Sequence, residues 1–326
     1  MTPACSIIIR AYNEERHLGR LLEGIAGQTV QDVQIILVDS GSTDRTLEIA
    51  RQYPVQVVSI RPQDFSFGRS LNLGLETARA ELAVLASAHV YPVYPDWLEN
   101  LLAGFTDVKT ALVYGKQRGA AVSHFSEQRI FHHWYPDQSI RHQAHPFCNN
   151  ANAAIRRSLW QENPYNELLP GLEDLAWARQ VFEKGFSIHY SAEAEVVHVH
   201  NESWQGVYNR YRREGMAFKA LYPQENFGFG DYLRLLMVNV LDDWKAAIRQ
   251  KVLSKVWLDV LRFRNRQFRG TWHGYRQAGP LTWQLKQTFY YPRPPQSASQ
   301  RRPVEPIQYQ DAAGETSPPR RGSDGN

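Results

Sequence analysis

Two short stretches decide the fold, SIIIRAYNEE at residues 6–15 and IILVDSGSTD at residues 35–44. Each is a run of apolar, largely β-branched residues followed directly by polar ones, as at a buried strand that ends in a loop. Similar apolar runs follow at residues 55–60, 82–87 and 111–115, and helical patterns separate them. Strands that alternate with helices predict an α/β fold, with a mainly parallel sheet and flanking crossover helices.

The segment after the first strand has the spacing of such a covering helix. Its apolar residues recur at i, i+3, i+4 and i+7, on one helix face, and they are Leu18, Leu21, Leu22 and Ile25. We therefore expect this helix to pack on the sheet.

Composition limits the setting in which the chain acts. The 326 residues are enough for one large α/β domain with an addition. Cys5 and Cys148 are the two cysteines, too few for a disulfide scaffold, and they favour a reducing, cytoplasmic environment. The first residues lack the pattern of a secretory signal, and no apolar run reaches the length of a membrane span, so membrane contact is expected to be peripheral.

Charge and aromatic content indicate the class of partner. The net charge of +4 is not accompanied by a basic recognition helix or by zinc-ligand spacing, so we do not expect nucleic-acid binding. Aromatic residues make up 12% of the chain, a share that favours contact with carbohydrate or with a membrane surface.

The pattern changes after residue 225 and divides the chain into three parts. Residues 1–225 form the predicted α/β domain, residues 226–292 a basic amphipathic helical appendage, and residues 293–326 a tail whose composition predicts disorder. Basic residues and apolar stripes along the appendage predict reversible attachment to an anionic membrane. The alternative is that the stripes pack against the α/β domain or a second copy. They consist of Leu233, Leu236, Val240 and Trp244, and of Val252, Val256, Val260 and Phe263.

Polar side chains follow the predicted strands, at the carboxyl ends where an open parallel sheet binds its ligands. The first strand leads to Asn13 and Glu14, the second to Asp39 and Ser40, and the fourth to Ser87-Ala88-His89. Further polar elements are GRSLNLG at residues 68–74, PFCNNANAAIRR at residues 146–157, GLEDLAWAR at residues 171–179 and HVH at residues 198–200.

In content, order and spacing these elements resemble the family 2 glycosyltransferases, over about residues 4–222. The resemblance implies a Rossmann-like domain of the GT-A type. It also implies an enzyme that takes a sugar from a nucleotide-diphosphate donor and inverts its anomeric configuration.

The resemblance carries over to particular residues on the donor side. Asp39 matches the acidic residue that contacts the nucleotide base, and Arg69 and Asn72 match the element beside the nucleotide and its diphosphate. Each also has a structural interpretation, because the turn after Asp39 can cap a helix and Arg69 can be a solvated residue at a helix start. The complete set of predicted donor-binding residues is Asn13, Glu14, Asp39, Ser40, Arg69, Asn72 and His89.

On the acceptor side, the resemblance places the catalytic base at Asp174, the aspartate of the Glu-Asp pair. Glu173 is the first alternative. Two acids before a helix also complement its dipole, which is the structural interpretation of the pair.

The fourth strand departs from the family pattern. Ser87-Ala88-His89 stands where an Asp-x-Asp element would hold Mg²⁺ or Mn²⁺. His89 is a metal ligand, a donor to phosphate or a satisfied polar residue at a strand end. His198 and His200 share one strand face and form, with His89, a candidate nitrogen-rich metal site, or else they are two polar residues on an exposed face. A divalent cation, Mn²⁺ or Mg²⁺, is thus a candidate cofactor without a clear requirement.

These observations predict transfer of one sugar to a glycan, a lipid-linked acceptor or a small hydroxyl compound, in bacterial surface polysaccharide assembly. The Gln-x-x-Arg-Trp element of processive family members does not occur. The main alternative is a non-catalytic subunit that binds nucleotide sugars or acts as a scaffold at the membrane. A nucleotidyltransferase is disfavoured, because its glycine-rich phosphate loop is missing.

Overall fold

The computed structural model describes residues 2–276, together with Glu305 and Ile307. The predicted disordered tail therefore lies outside the described residues apart from those two positions, and so do residues 277–292 of the appendage. The strands are β1 (Cys5–Ala11), β2 (Val33–Asp39), β3 (Val55–Ser59), β4 (Leu82–Ser87), β5 (Val90–Pro92), β6 (Thr110–Gly119), β7 (Asn152–Arg156) and β8 (Ser187–His198). The α-helices are α1 (Leu18–Ala26), α2 (Thr46–Ala50), α3 (Phe67–Thr77), α4 (Trp97–Leu102), α5 (Phe125–Trp134), α6 (Arg157–Glu162), α7 (Glu173–Glu183), α8 (Trp204–Leu221), α9 (Phe229–Arg249) and α10 (Leu253–Tyr275).

The strands form one mixed sheet in the order β3-β2-β1-β4-β7-β6-β8-β5. The first four are parallel, as predicted. β7 is antiparallel to its neighbours β4 and β6, whereas β8 is parallel to β6 and antiparallel to β5. The predicted α/β fold class is confirmed, and the antiparallel β7 explains why the second half of the sheet lacks a simple strand-helix rhythm.

Alternate residues of β1 enter two apolar layers, one on each face of the sheet. Ile8 joins a cluster with Leu71 and Trp177, while Ile7 and Ile9 join another. This second cluster contains the predicted face of α1, whose members Leu18, Leu21, Leu22 and Ile25 are all buried. The predicted covering helix is thus confirmed.

The last three helices form a layer of their own, in which α8 and α10 pack closely. A Cβ atom at Gly270 would lie 2.5 Å from the carbonyl oxygen of Tyr208, and one at Gly274 would lie 2.2 Å from that of Arg212. Only glycine permits this backbone approach. α8 precedes residue 225, so the predicted domain boundary falls inside a packed helical layer.

A buried ionic cluster ties this layer to α5. Arg264 on α10 binds Asp243 on α9 at 2.8 Å, and Asp243 also accepts from Arg129 of α5 at 2.8 Å. Asp243 and Arg264 are buried, so removing one partner would leave the other charge uncompensated.

Three of the eight residues of the predicted membrane stripes are buried in the helical layer, which corrects the composition of the stripes. These are Val240, Val260 and Phe263, and helices α8, α9 and α10 pack together around them. A set of exposed apolar side chains on α9 and α10, which shares only Leu233 with the predicted stripes, is here called the exposed apolar face. It consists of Phe229, Leu233, Met237, Leu241, Ile248, Trp257, Leu258 and Leu261. None of the helices within residues 2–276 is both long and apolar enough to cross a bilayer.

Candidate active site

The fold brings the polar elements to one edge of the sheet. β1 and β4 end at this edge, and β7 begins there because it runs the opposite way. β8 ends there too, since it is parallel to β6 and β6 is antiparallel to β7. An open cavity of about 480 Å³, here called the first cavity, lies at this edge. Its lining includes Arg10, Glu14, His89, Asn150, Glu173, Asp174, His198, His200 and Arg213.

The two adjacent carboxylates at the start of α7 have different partners. Glu173 is buried and forms an ion pair of 2.9 Å with Arg10 at the end of β1. Asp174 forms no ion pair within the described residues and accepts from the backbone N–H of Leu175 at 2.8 Å and of Asn150 at 3.3 Å. Glu173 is therefore engaged by Arg10, and Asp174 is the carboxylate that remains available to a ligand.

The protonation of Asp174 follows from this arrangement. Burial and the neighbouring charge of Glu173 raise the pKa of Asp174 to about 7. A carboxylate whose pKa lies near neutrality is an effective general base, because it takes up a proton readily while still being ionised in part.

His89, His198 and His200 come together in the first cavity, with ligand atoms within 4.8 Å of one another. One ring nitrogen of each is fixed: Nδ1 lies 2.7 Å from Glu14 Oε1 in His89, from Gln117 Oε1 in His198 and from Glu127 Oε1 in His200. These oxygens are acceptors, so each Nδ1 donates its proton and each Nε2 is left as an acceptor.

The Nε2 atoms of these histidines form few hydrogen bonds with the described residues. That of His198 is buried without a hydrogen-bond partner among the described residues, and that of His89 lies 3.3 Å from Ser87 Oγ. Burial lowers the pKa of His198 and of His200, which keeps both rings neutral. Neutral imidazoles with a free nitrogen and a fixed tautomer are suited to metal ligation.

The acceptor behind His200 is itself unusual. Glu127 is buried and binds Arg210 at 2.5 Å as well as His200. Burial acts to raise the pKa of Glu127, but the charge of Arg210 and the hydrogen bonds from Arg210 and His200 outweigh it and hold the value at about 2. His200 is therefore oriented by a permanent carboxylate anion.

The loops after β1 and β2 are locked to each other. Asn13 Oδ1 accepts from the N–H of Thr43 at 2.8 Å, and Asp39 accepts from the N–H groups of Gly41 and Ser42. Ser40 is buried and donates its N–H to the end of β1. Of the predicted donor-binding residues in these loops, Glu14 lines the first cavity. Asn13, Asp39 and Ser40 instead form hydrogen bonds within and between the two loops.

Arg69 and Asn72 lie away from this cavity. Arg69 is paired with Glu167 at 3.2 Å on the surface. Asn72 is buried, and its side-chain amide forms hydrogen bonds with Trp160, Tyr165 and Glu167. These bonds connect α3 to α6 and to the segment after α6. Their positions favour a structural use of the GRSLNLG element.

Arg10, Asn150 and Arg213 line the first cavity but are not among the residues predicted from the sequence. The guanidinium of Arg213, on α8, lies 4.8 Å from the ring centroid of Phe67, and its Nε is buried without a hydrogen-bond partner among the described residues. Asn150 Nδ2 is likewise buried and unpartnered there. The basic run RYRR at residues 210–213 shows that Arg213 is charged, but the packing of α8 is what brings its side chain to the cavity.

The chain also matches known proteins. Residues 6–163 match the model of glycosyl transferase family 2. An O-antigen chain rhamnosyltransferase of Salmonella typhimurium is 28% identical over 68% of this chain and 75% of its own length. One of Salmonella anatum is 28% identical over 69% of this chain and 76% of its own length.

Solved structures give the same fold. A mannosyltransferase of Pyrobaculum calidifontis in complex with GDP-Man and Mn²⁺ aligns with a TM-score of 0.57, at 17% identity, over 83% of this chain and 86% of its own. Residues 1–349 of Staphylococcus aureus TarS in complex with UDP-GlcNAc align with a TM-score of 0.51, at 15% identity, over 85% of this chain and 92% of theirs.

Proposed function

We propose that this chain, whose residues 6–163 match the model of glycosyl transferase family 2, transfers one sugar, with inversion, from a nucleotide-diphosphate donor to a hydroxyl group of a glycan or lipid-linked acceptor. The setting we propose is bacterial surface polysaccharide assembly, at the inner face of the cytoplasmic membrane. Since two curated relatives that match at 28% identity over more than two thirds of this chain are named rhamnosyltransferases, a deoxyhexose is the donor sugar to test first. A small hydroxyl compound remains a simpler acceptor for assays.

The observation that carries this proposal is the division of roles between two neighbouring carboxylates. Arg10 neutralises Glu173, while burial beside that carboxylate keeps Asp174 basic. Asp174 takes the proton of the acceptor hydroxyl as its oxygen attacks the anomeric carbon, and the bond to the nucleoside diphosphate breaks on the opposite face. A single displacement of this kind inverts the configuration.

The diphosphate of the donor needs positive charge and hydrogen-bond donors. Arg213 offers a guanidinium that forms no ion pair within residues 2–276, and Arg10 lies 5.1 Å from the same Phe67 ring centroid. A guanidinium binds two phosphate oxygens at once and stabilises the charge that builds on the leaving group. We assign the diphosphate to this pair and the nucleoside to the locked loops that contain Asn13, Asp39 and Ser40.

The three histidines fit a divalent cation, since the buried Nε2 of His198 has no protein partner and the Nδ1 atoms are fixed by Glu14, Gln117 and Glu127. Nitrogen ligands suit Mn²⁺ or Zn²⁺ better than Mg²⁺, which prefers oxygen. When bound, such a cation supplies charge neutralisation at the diphosphate.

The exposed apolar face supports reversible membrane contact. It lies among exposed basic residues of α9 and α10, and each of these contributes on the order of 1 kcal/mol near an anionic surface. The basic residues are Arg234, Lys245 and Arg249 on α9, Lys251 between the two helices, and Lys255, Arg262 and Arg269 on α10.

A direct assay tests the proposed reaction. The full chain is incubated with a panel of nucleotide-diphospho-sugars and an acceptor oligosaccharide, and the products are analysed by NMR. We expect release of a nucleoside diphosphate and a glycosidic bond of inverted configuration. Retention of configuration contradicts the mechanism, release of pyrophosphate indicates a nucleotidyltransferase, and donor binding without turnover favours a non-catalytic subunit.

A further inference from the structure

A second, more enclosed cavity of about 170 Å³ lies behind the first one, between the sheet and the helical layer. Aromatic rings form much of its wall. Trp134 and Phe147 lie 4.5 Å apart by ring centroids, and Phe131, Tyr135 and Phe218 complete this apolar side. Pockets for drug-sized ligands usually measure about 300–1,000 Å³, so this cavity suits a group the size of one ring.

The two cavities meet at Asp174, which lines both. The first cavity contains Arg10 and Arg213, whereas neither of these lines the second. Arg210 lines both cavities, but it is paired with Glu127 and Glu202, so a diphosphate belongs in the first cavity. The second is open to a neutral group that approaches Asp174 from the other side.

Polar groups in the second cavity have hydrogen-bonding capacity to spare. Gln267 on α10 is buried, and its Oε1 accepts from Arg264 while no hydrogen bond of the described residues engages its Nε2. Glu214 on α8 lines both cavities, and burial raises its pKa. An amide donor and a carboxylate opposite aromatic rings match a pyranose, which has hydroxyl groups at its rim and apolar C–H faces.

We propose that the second cavity binds the terminal pyranose ring of the acceptor glycan, with the reactive hydroxyl directed at Asp174. The inference rests on the proposed function and specifies the acceptor for it. Trp134 and Phe147 contact the apolar face of the ring, and Glu214 and Gln267 bind hydroxyl groups that do not react.

The helical appendage is then part of the active site. Gln267 and Thr271 of α10 line the second cavity, and the glycine contacts between α8 and α10 fix their position. Acceptor choice would thus depend on residues beyond the segment that matches the family model.

Steady-state kinetics with both substrates tests the assignment. Trp134→Ala removes the stacking surface, and Glu214→Gln removes a charged acceptor while keeping the shape of the side chain. We expect each change to raise KM for an oligosaccharide acceptor ~10-fold, because a charged hydrogen bond or a stacked ring contributes about 1–3 kcal/mol. The Kd of the donor should stay near the wild-type value in Trp134→Ala, because Trp134 lines the second cavity and not the first. Trp134→Phe is the conservative control and should restore most acceptor affinity.

Two outcomes overturn the assignment. An acceptor KM that stays at the wild-type value in both variants places the acceptor elsewhere, while the proposed transferase reaction stands. A donor Kd that rises as much as the acceptor KM means that the cavity holds part of the donor. If the wild-type chain releases no nucleoside diphosphate from any donor, it is the proposed function that fails. Glu214→Gln keeps the test valid should Trp134→Ala fail to fold.

Discussion

The parallel half of the sheet and the half that contains β7, β8, α7 and α8 differ in how far their polar groups are already engaged. In the parallel half, Asp39 bonds its own turn, Arg69 is paired with Glu167, and Asn72 connects two segments. In the other half, Asp174 has a raised pKa and the Nε of Arg213 is buried without a partner in the described part of the chain.

This difference separates two kinds of information. A sequence motif identifies a position in the fold, and the polar groups of its residues can be fully occupied by hydrogen bonds and ion pairs within the protein. An unsatisfied buried group marks a position where a ligand completes the bonding, because such a group is costly unless something binds it. Substitutions can test whether sequence motifs or unsatisfied buried groups identify the residues that bind the donor and catalyse transfer.

Asp174→Asn should have the largest effect. It keeps the shape of the side chain but removes the proton acceptor, so kcat should fall ~10²–10⁴-fold. Donor Kd, measured by calorimetry, should stay within about twofold of the wild type because the arginines are untouched. A variant that turns over at a near-wild-type rate would move the base to Glu173 or outside the pair.

Arg213→Ala and Arg69→Ala compare the two halves directly. Loss of a charged hydrogen-bonding partner costs about 1.5–3 kcal/mol, so Arg213→Ala should weaken donor binding ~10–100-fold. Arg69→Ala breaks an exposed ion pair and should change donor Kd less than about threefold. The reverse order of effects would show that the motif, and not the unpaired guanidinium, identifies the donor site.

Glu127→Gln tests whether the histidines hold a metal. The change removes the anion that orients His200, and loss of such a supporting partner typically lowers metal affinity ~10–100-fold. Mn²⁺ binding by calorimetry measures this without reference to turnover. Glu183→Gln, in a surface pair with Arg179, is the matched control and should leave Mn²⁺ affinity unchanged. If the wild-type chain binds no divalent cation, the three histidines serve the donor or the fold instead.

The pH profile sharpens the role of Asp174. With a pKa of about 7, the carboxylate is protonated below neutrality, so kcat/KM should fall about tenfold per pH unit on the acid side. Because the native pKa of Asp174 exceeds that of an unfolded aspartate, folding grows less favourable as the pH rises from the unfolded pKa to the native one. Asp174→Asn should therefore have a Tm at pH 8 no lower than the wild type, and a flat activity profile between pH 6 and 8 would contradict the assignment.

The sequence predicted more of the fold than of the site. Strand positions were predictable because apolar periodicity records burial, as the positions of Ile7, Ile8 and Ile9 show. The convergence of His89 with His198 and His200 was also suggested, since strand alternation and the edge of the sheet limit where they can lie. Arg213 and Gln267 were not predictable, because their approach depends on how α8 and α10 pack, and that packing follows from glycine contacts with no periodic signal.

Membrane attachment should show the smallest effect of a substitution. Truncation before α9 is unsuitable as a test, because Leu235, Phe263 and Phe268 are buried in the helical layer and their loss would disrupt the second cavity. Surface changes avoid this difficulty. The double substitution Met237→Ser and Leu241→Ser removes two side chains that are 63% and 50% exposed, and it should lower partitioning onto anionic vesicles ~5-fold.

The charge dependence and a control complete this last comparison. Val108→Ser alters a residue that is 80% exposed and lies before β6, so it should leave vesicle binding unchanged. Wild-type co-sedimentation should rise with the fraction of anionic lipid and fall with salt, because the basic residues of α9 and α10 act through a screened surface potential. Binding that does not change with the fraction of anionic lipid would mean that insertion of the apolar side chains alone causes attachment. Absence of binding together with concentration-dependent dimerisation in light scattering would mean that the exposed apolar face meets a second copy of the chain.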